Sequence, residues 1–172
     1  MKTGIEKFTN VIDSDTCDLL IKHLADNLHH SMDLTHNDRQ NVICKEITLQ
    51  PHTEIDNVVY KVIVKVVELY KEKYPTFEVR GDTGYQLRKI TGNTKQHIDN
   101  ISKDHRNVSI ILGLNSDYEK GEFHFPYQDF STTVKRGEAI VFPVYFMYPH
   151  FVDAPIGNRY TINTWMTCNL NY

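Results

Sequence analysis

The sequence predicts an α+β domain in which N-terminal helices pack on one sheet of a double-sheet, jelly-roll core. Apolar residues recur at helical spacing within residues 1–75, and short β-rich segments separated by turn residues follow within 76–172. Many short strands at this spacing are typical of a jelly roll. A chain of 172 residues fits one domain. We therefore expect a single domain over 1–172, with mainly helical support in 1–75 and the β core, including any metal site, in 76–172.

Two helices are predicted in the first 75 residues. The first begins near Ser14 or Asp15, because both residues are good N-caps. The second takes Thr53 as its N-cap and ends before Pro75. Its apolar stripe recurs at positions 55, 59, 62, 63, 66 and 70. Its many valines are poor helix formers, so a strand over residues 58–67 is the alternative. Residues 28–41 are interpreted as a polar loop and residues 42–49 as a short strand.

The second half is predicted to consist of short strands separated by turns that contain glycine or asparagine. The predicted strands are Phe77–Val79, Tyr85–Ile90, Asn107–Leu114, Glu122–Phe125, Phe130–Val134, Ala139–Phe142, His150–Val152 and Tyr160–Thr167. Their spacing supports the double-sheet core.

Composition narrows the range of functions. A formal net charge of −3 argues against a protein that binds nucleic acid through its phosphates. No run of about 18 apolar residues is present, so we expect no membrane partner. Cys17, Cys44 and Cys168 are an odd number of cysteines without a Cys-x-x-Cys pair, which indicates reduced thiols and a cytoplasmic protein. Nine histidines make a histidine and carboxylate metal site worth seeking.

The tripeptide His-x-Asp occurs twice, at His36-Asn37-Asp38 and at His97-Ile98-Asp99. Chance alone produces such a tripeptide roughly once in a chain of this composition, so context must separate the two. The first lies in a polar stretch without a flanking strand. The second lies between two predicted strands, where residues i and i+2 of an extended segment face the same way. His97 and Asp99 can therefore point together into a sheet interior and supply two ligands of a 2-His-1-carboxylate iron site.

The third ligand is expected to be a histidine on a distant strand. His105, His124 and His150 are the downstream candidates, and His150 has the most suitable surroundings. A strand, a turn with Pro155 and Gly157, and a returning strand would bring Arg159 near His150. A guanidinium in this position can hold a carboxylate through two parallel hydrogen bonds. This arrangement suits a dicarboxylate co-substrate that also chelates the metal.

The order of these residues resembles that of the Fe(II)/2-oxoglutarate-dependent dioxygenases, and within them the prolyl 4-hydroxylase-like branch that includes the hypoxia-sensing prolyl hydroxylases. The resemblance spans about residues 85–167 and is weaker over Phe8–Ala25. Each motif alone is loose, whereas their order and spacing together are specific. The matching stretches are Gln96–Asn100, Arg106–Asn115, Lys120–Phe123, Val134–Pro143 and His150–Trp165.

The resemblance implies a double-stranded β-helix core and a hydroxylase that uses Fe(II), 2-oxoglutarate and O2, with ascorbate as a candidate additional cofactor. It implies His97, Asp99 and His150 as iron ligands and Arg159 as the partner of the distal 2-oxoglutarate carboxylate. Asn163 and Trp165 follow Arg159 at even spacing, so they should line the same pocket. Asn163 is expected to bind the co-substrate. The implied substrate is a prolyl residue of a protein or peptide.

The sequence departs from the family pattern where tyrosines usually face the co-substrate. Ile90, Thr94 and Gly113 stand at those places, and Tyr85 is a candidate substitute from further back.

Three further residues are candidates for substrate binding: Arg88, Arg106 and Trp165. Arg88 either binds a charged substrate or lies at the rim with a solvated head. Arg106 either faces the substrate or is a charge at the edge of the sheet.

Two other functions remain open on the sequence. The same cofactors could serve a free amino acid, another small molecule or a nucleobase, because fold and ligand triad do not fix the substrate. A cupin-like metal-binding module without turnover is the alternative from another class. The missing tyrosines favour it, and the intact triad with Arg159 argues against it.

Overall fold

The computed structural model describes residues 3–35, 41–100 and 105–168. The first His-x-Asp tripeptide, His36-Asn37-Asp38, lies outside the described residues. The helices are α1 (Ser14–Asp26) and α2 (Glu54–Lys73). The strands are β1 (Glu6–Phe8), β2 (Met32–Thr35), β3 (Val42–Thr48), β4 (Gly81–Asp82), β5 (Gln86–Ile90), β6 (Thr94–His97), β7 (Arg106–Gly113), β8 (Glu119–Lys120), β9 (Phe123–Phe125), β10 (Phe130–Thr132), β11 (Ala139–Pro143), β12 (His150–Val152), β13 (Pro155–Ile156) and β14 (Arg159–Thr167).

Both helices begin where side chains satisfy their first backbone N–H groups. Thr53 caps α2 as predicted, because its hydroxyl accepts the N–H of Asp56 at 3.3 Å. For α1 the predicted start is close, but the cap is Asp13, whose carboxylate accepts the N–H of Thr16 at 2.7 Å. The valine-rich α2 has weak helix propensity, and it is held by burying a stripe that includes Val59 and Ile63.

A large sheet forms the middle of the molecule. Its strands lie in the order β1-β11-β7-β14-β5-β3-β2, and β4 pairs with β14. A smaller sheet has the order β10-β9-β12-β6, and β8 pairs with β13. All strand pairs between these named elements are antiparallel. This architecture confirms the predicted jelly roll with N-terminal helices on one sheet.

Two apolar clusters hold three layers together. One cluster joins the helices to the outer face of the large sheet, through residues such as Leu20, Val66, Leu87 and Ile162. The other fills the space between the two sheets and includes Phe125, Phe142 and Ile111. Alternate residues of each central strand therefore face either the helices or the smaller sheet. In the described parts of the chain, neither helix combines the length and apolarity that a membrane crossing requires.

Several strands differ from the prediction. The strand predicted at Phe77–Val79 is absent, because Phe77 turns back to bond Tyr74 and packs against the helical cluster. Strands β1, β2, β4, β6, β8 and β13 were not predicted. Strand β6 (Thr94–His97) is polar and mostly exposed at the edge of the smaller sheet, so it has no apolar alternation to reveal it. It nevertheless carries His97 into place.

Gly113 is needed where β7 meets the segment before β11. A Cβ atom on this residue would lie 2.6 Å from the carbonyl oxygen of Val134 and would overlap that of Lys135. Backbone cannot move aside as a flexible side chain can, so we expect Gly113→Ala to lower the free energy of unfolding by about 1–3 kcal/mol. Urea unfolding followed by circular dichroism measures the change.

Gly81→Ala is the matched control, because its Cβ would meet only the Thr167 hydroxyl, at 3.5 Å. We expect a change within about 0.5 kcal/mol there. Equal stability losses for the two variants would contradict the close approach of the backbone at Gly113.

Candidate metal centre

The smaller sheet brings two histidines face to face. His97 ends β6, His150 begins β12, and the two residues are direct cross-strand partners. Asp99 follows β6, and its Oδ1 lies 3.3 Å from His97 Nε2 and 3.9 Å from His150 Nε2. Potential ligand atoms of the three side chains all lie within 4.8 Å of one another. The structure thus assembles the triad predicted from the sequence, and this donor set fits Fe(II).

Backbone carbonyls orient both imidazoles. His97 Nδ1 lies 2.8 Å from the carbonyl oxygen of Lys95, and His150 Nδ1 lies 3.2 Å from that of Tyr148. A carbonyl oxygen can only accept, so each Nδ1 carries the proton and each Nε2 keeps a lone pair for a metal. Burial lowers the pKa of His150. Burial has the same effect on His97, but bonds to Asp99 and Lys95 outweigh it and raise that pKa overall.

Asp99 is held by the large sheet. Its Oδ2 accepts hydrogen bonds from the Ser109 hydroxyl at 2.6 Å and from the Trp165 indole N–H at 3.0 Å. Ser109 and Trp165 are themselves cross-strand partners on β7 and β14. Both donors address the same oxygen, which leaves Oδ1 toward the two histidines. Burial raises the pKa of the carboxyl, but bonds from His97 and Ser109 and the nearby His150 hold it well below its ordinary value.

Ser109 is a site residue that the sequence analysis missed. It is fully buried on β7, a strand that is otherwise apolar from Val108 to Leu112. A single hydroxyl at such a position requires a partner, because an unpaired buried hydroxyl is costly. This lone polar residue was the available signal, although nothing in the sequence identified Asp99 as the partner.

A cavity of about 580 Å³ opens beside the triad. Arg159, Asn163 and Trp165 line it from β14, as their even spacing predicted. Arg88 and Ile90 line it from β5, so the side chain of Arg88 faces the cavity. The other lining residues are Leu34, Thr35, Ile43, Cys44, Gly92, Thr94, Lys95, Gln96, His97, Asp99, Ile111, Phe142, His150 and Val152.

Arg159 is a buried cation without an anionic partner. Only 3% of the residue is exposed, and its Nη1 donates to the carbonyl oxygen of Gly121 at 2.6 Å. Within the described residues its Nε has no acceptor and no carboxylate pairs with it. Burial lowers its pKa to about 10, which still leaves it charged at neutral pH. A buried guanidinium in this state favours an anionic ligand in the cavity, so the residues present fit a dicarboxylate co-substrate.

Tyr85 does not take the place of the missing tyrosines, so that prediction is wrong. Its ring lies in the cluster beneath the helices, and its hydroxyl donates to Asp82 at 2.8 Å. Tyr85 immediately precedes β5 and is odd-numbered like Leu87, so it faces away from the cavity that Arg88 and Ile90 line. At Gly113 the backbone of Val134 and Lys135 occupies the space that a side chain would need.

The guanidinium of Arg106 stacks on the ring of Trp165, and both side chains bond Asp99. The Arg106 guanidinium carbon lies 4.0 Å from the centre of the Trp165 ring, and its Nη1 donates to the Asp99 carbonyl oxygen at 3.5 Å. Arg106 does not line the cavity, so the predicted substrate contact is corrected to a packing contact. Trp165 lines the cavity with its ring while its N–H is bonded to Asp99.

The other candidate third ligands lie elsewhere. His124 bonds Asp153 at 2.9 Å through Nε2 and Ser131 at 3.0 Å through Nδ1, as expected of a histidine on the face of a strand. With Glu122 and Asp153 it forms a separate, partly exposed group. His105 is exposed and outside the cavity lining. His150 is therefore the histidine that the fold brings to His97 and Asp99.

Comparison with known proteins places this site in context. The model of the 2OG-Fe(II) oxygenase superfamily matches residues 85–167. A search of the curated proteins finds no match. A similar solved structure is a viral collagen prolyl hydroxylase from Paramecium Bursaria Chlorella virus-1, in complex with 2OG. It is 18% identical, with a TM-score of 0.77 over 95% of this chain and 96% of that chain.

Two further solved structures have the same fold. A prolyl hydroxylase from Trichoplax adhaerens, in complex with a hypoxia inducible factor oxygen degradation domain peptide fragment, is 16% identical, with a TM-score of 0.75 over 96% of this chain and 84% of that chain. A prolyl-4-hydroxylase from Pseudomonas putida is 14% identical, with a TM-score of 0.76 over 96% and 93%. At these identities the likeness establishes the fold.

We predict that Ser109→Ala and Trp165→Phe each weaken Fe(II) binding by about tenfold, because each removes one of the two donors that fix Asp99 Oδ2. Anaerobic titration with Fe(II), followed by calorimetry, measures the dissociation constant.

Thr164→Val is the control for loss of a buried hydroxyl. The Thr164 hydroxyl is buried on β14 and has no hydrogen-bond partner among the described residues. Its removal should leave iron affinity unchanged. An unchanged affinity in Ser109→Ala and Trp165→Phe as well would show that the two donors do not position the ligand.

Proposed function

We propose that this chain, whose residues 85–167 match the model of the 2OG-Fe(II) oxygenase superfamily, hydroxylates a prolyl residue of a protein or peptide. It is a 2-oxoglutarate-dependent dioxygenase that uses Fe(II), 2-oxoglutarate and O2. The single observation that supports binding of 2-oxoglutarate in the cavity is the burial of Arg159. Its buried charge has no anionic partner among the described residues, and it lies in the same cavity as the His97, Asp99 and His150 triad. The use of ascorbate stays a prediction.

In this proposal each residue of the site has one task. His97 and His150 would hold Fe(II) through Nε2, and Asp99 would hold it through Oδ1. Arg159 would bind the distal carboxylate of 2-oxoglutarate, and Asn163 would offer it a further hydrogen bond. When bound, Fe(II) and 2-oxoglutarate would let O2 oxidise the substrate, so that one oxygen atom converts a C–H bond to C–OH and the other enters succinate as 2-oxoglutarate loses carbon dioxide.

The chain itself supplies orientation and part of an apolar wall. Thr161 donates to Asn163 Oδ1 at 2.7 Å, which fixes the amide of Asn163 beside Arg159. Ile90, Ile111 and Val152 line the cavity with apolar surface. Phe142 packs edge-on against His150 at a centroid distance of 4.7 Å and limits movement of the imidazole. These contacts hold the groups of the site in one geometry.

The prolyl substrate is supported at the level of the fold. The three similar structures are prolyl hydroxylases, and one of them holds a peptide. Each covers at least 95% of this chain, including the residues outside the family match. A protein or peptide is therefore the kind of substrate that we propose.

A free amino acid or other small molecule is the second candidate. It is favoured by Arg88, a mostly buried charged group in the cavity wall that could bind a small anionic substrate. Incubation with Fe(II), 2-oxoglutarate, air and either a proline-containing peptide library or free amino acids separates the candidates. Mass spectrometry should detect the addition of one oxygen to a prolyl residue. Hydroxylation of free amino acids alone would contradict the prolyl peptide assignment.

We predict that Asp99→Ala and His150→Ala abolish turnover while leaving the fold intact, because each removes a metal ligand. Succinate formation and circular dichroism measure the two effects. Retained turnover in either variant would exclude that residue as a ligand.

Arg159→Ala should weaken 2-oxoglutarate binding by about 100-fold and change Fe(II) binding much less. The variant removes the partner of the co-substrate carboxylate, whereas Arg159 is not a metal ligand. Separate titrations with metal and with 2-oxoglutarate measure the two affinities. Arg136→Ala is the matched control, since that arginine pairs with Asp18 away from the cavity. An unchanged co-substrate affinity in Arg159→Ala would contradict the assigned role.

A further inference from the structure

Arg88 is a charged group in the cavity wall with no part in holding the metal or, as proposed, the co-substrate. It lies on β5, in register with Thr161 of β14 on one side and with Glu46 of β3 on the other. It lines the same cavity as His97 and Arg159. Only 16% of its side chain is exposed, so it is built into the wall and is not a rim residue with a solvated head.

Glu46 holds Arg88 by one edge of its guanidinium. Arg88 Nε donates to Glu46 Oε2 at 2.6 Å, and Glu46 does not line this cavity. In the described ranges this is the guanidinium's one hydrogen bond. The buried ion pair fixes the plane of the Arg88 guanidinium. The two Nη groups remain, and they form the fork that matches a carboxylate.

The position of Arg88 is close to the reacting centre. Its guanidinium carbon lies 5.7 Å from the centre of the Trp165 ring, and the indole of Trp165 donates to Asp99 Oδ2. One aromatic ring therefore separates Arg88 from the carboxylate that would bind the metal. Ile90, two residues along β5, is the cross-strand partner of Arg159. A substrate beside the metal would lie within reach of Arg88.

The charges of the other groups in the cavity leave Arg88 available. In the proposed enzyme, Fe(II) and Arg159 are balanced by Asp99 and the dianionic co-substrate. Asp99 is the one carboxylate among the described residues that line the cavity. An incoming substrate would then meet Arg88 and Lys95 as the remaining charged side chains of the lining. This surface complements an anion, because Glu46 balances the charge of Arg88 but bonds only its Nε and does not itself line the cavity.

We propose, resting on the proposed dioxygenase function, that Arg88 binds a carboxylate of the substrate and so selects acidic substrates. The carboxylate could come from two sources. One is a glutamate or aspartate side chain beside the prolyl residue of a peptide. The other is the α-carboxylate of a free amino acid. The chemistry at Arg88 is the same in both cases.

Trp165 is the only tryptophan of the chain, so its fluorescence reports directly on this part of the cavity. The protein is loaded with Fe(II) and 2-oxoglutarate without oxygen and titrated with four probes. Two are N-acetylated, amidated peptides that place either Glu or Gln beside Pro. The other two are L-proline and prolinamide. We expect the carboxylate member of at least one pair to bind about tenfold more tightly than its neutral partner.

Three variants assign the preference to Arg88. Arg88→Lys keeps the charge but loses the fork, and it should retain only part of the preference. Arg88→Gln combined with Glu46→Gln avoids leaving Glu46 as an unpaired buried charge, and it should abolish the preference without changing 2-oxoglutarate affinity. Lys89→Gln is the control on the same strand, because Lys89 does not line the cavity, and it should behave as wild type.

Equal affinity for acidic and neutral probes would overturn the assignment, as would the absence of binding by every carboxylate probe. Weaker 2-oxoglutarate binding in the double variant, with the probe preference intact, would also overturn it and would make Arg88 a co-substrate residue. Failure of wild type to load with Fe(II) and 2-oxoglutarate would overturn the proposed function and this assignment together. A loaded protein that treats the probes alike would overturn the assignment alone.

Discussion

The hydrogen bonds to Asp99 Oδ2 are the constraint on which the rest of the site depends. Asp99 follows a strand of the smaller sheet, whereas its partners Ser109 and Trp165 lie on the large sheet. The carboxylate therefore ties the two sheets together at the point where His97 and His150 meet. Because both donors bond Oδ2, the other oxygen, Oδ1, faces the two histidines. A metal ligand is thus positioned by the packing of the jelly roll and not by the loop that carries it.

The co-substrate end of the cavity follows from a second constraint, the burial of Arg159. A guanidinium with so little exposure is tolerated only when its charge has a partner, and the described residues offer carbonyl and aromatic contacts but no carboxylate. Ile90, Thr94 and Gly113 stand where the family usually has tyrosines, so the proposed binding of the co-substrate depends more strongly on Arg159. No tyrosine hydroxyl lines the cavity among the described residues, so the proposed binding of a dicarboxylate rests on Arg159 and Asn163.

Periodicity and motif order predicted most of the fold and the central residues of the site. Helix α2, strand β14 and the shared face of Arg159, Asn163 and Trp165 follow from spacing alone. The edge strand β6 was missed because its residues are polar on both faces. The predicted role of Tyr85 rested on the need for a tyrosine near the co-substrate. Alternation along β5 contradicts that role, because Tyr85 and Leu87 face the helices whereas Arg88 and Ile90 face the cavity. The roles of Ser109 and Glu46 depend on partners distant in sequence, which local patterns do not encode.

The most direct test of this account is an anaerobic absorption spectrum of the protein with Fe(II) and 2-oxoglutarate. The account predicts a weak metal-to-ligand charge-transfer band in the visible region. The band would require that His97, Asp99 and His150 hold the iron and that Arg159 hold 2-oxoglutarate beside it. Bound iron without the band, at 2-oxoglutarate concentrations that saturate a second binding assay, would contradict it. The buried charge of Arg159 would then serve a different anion.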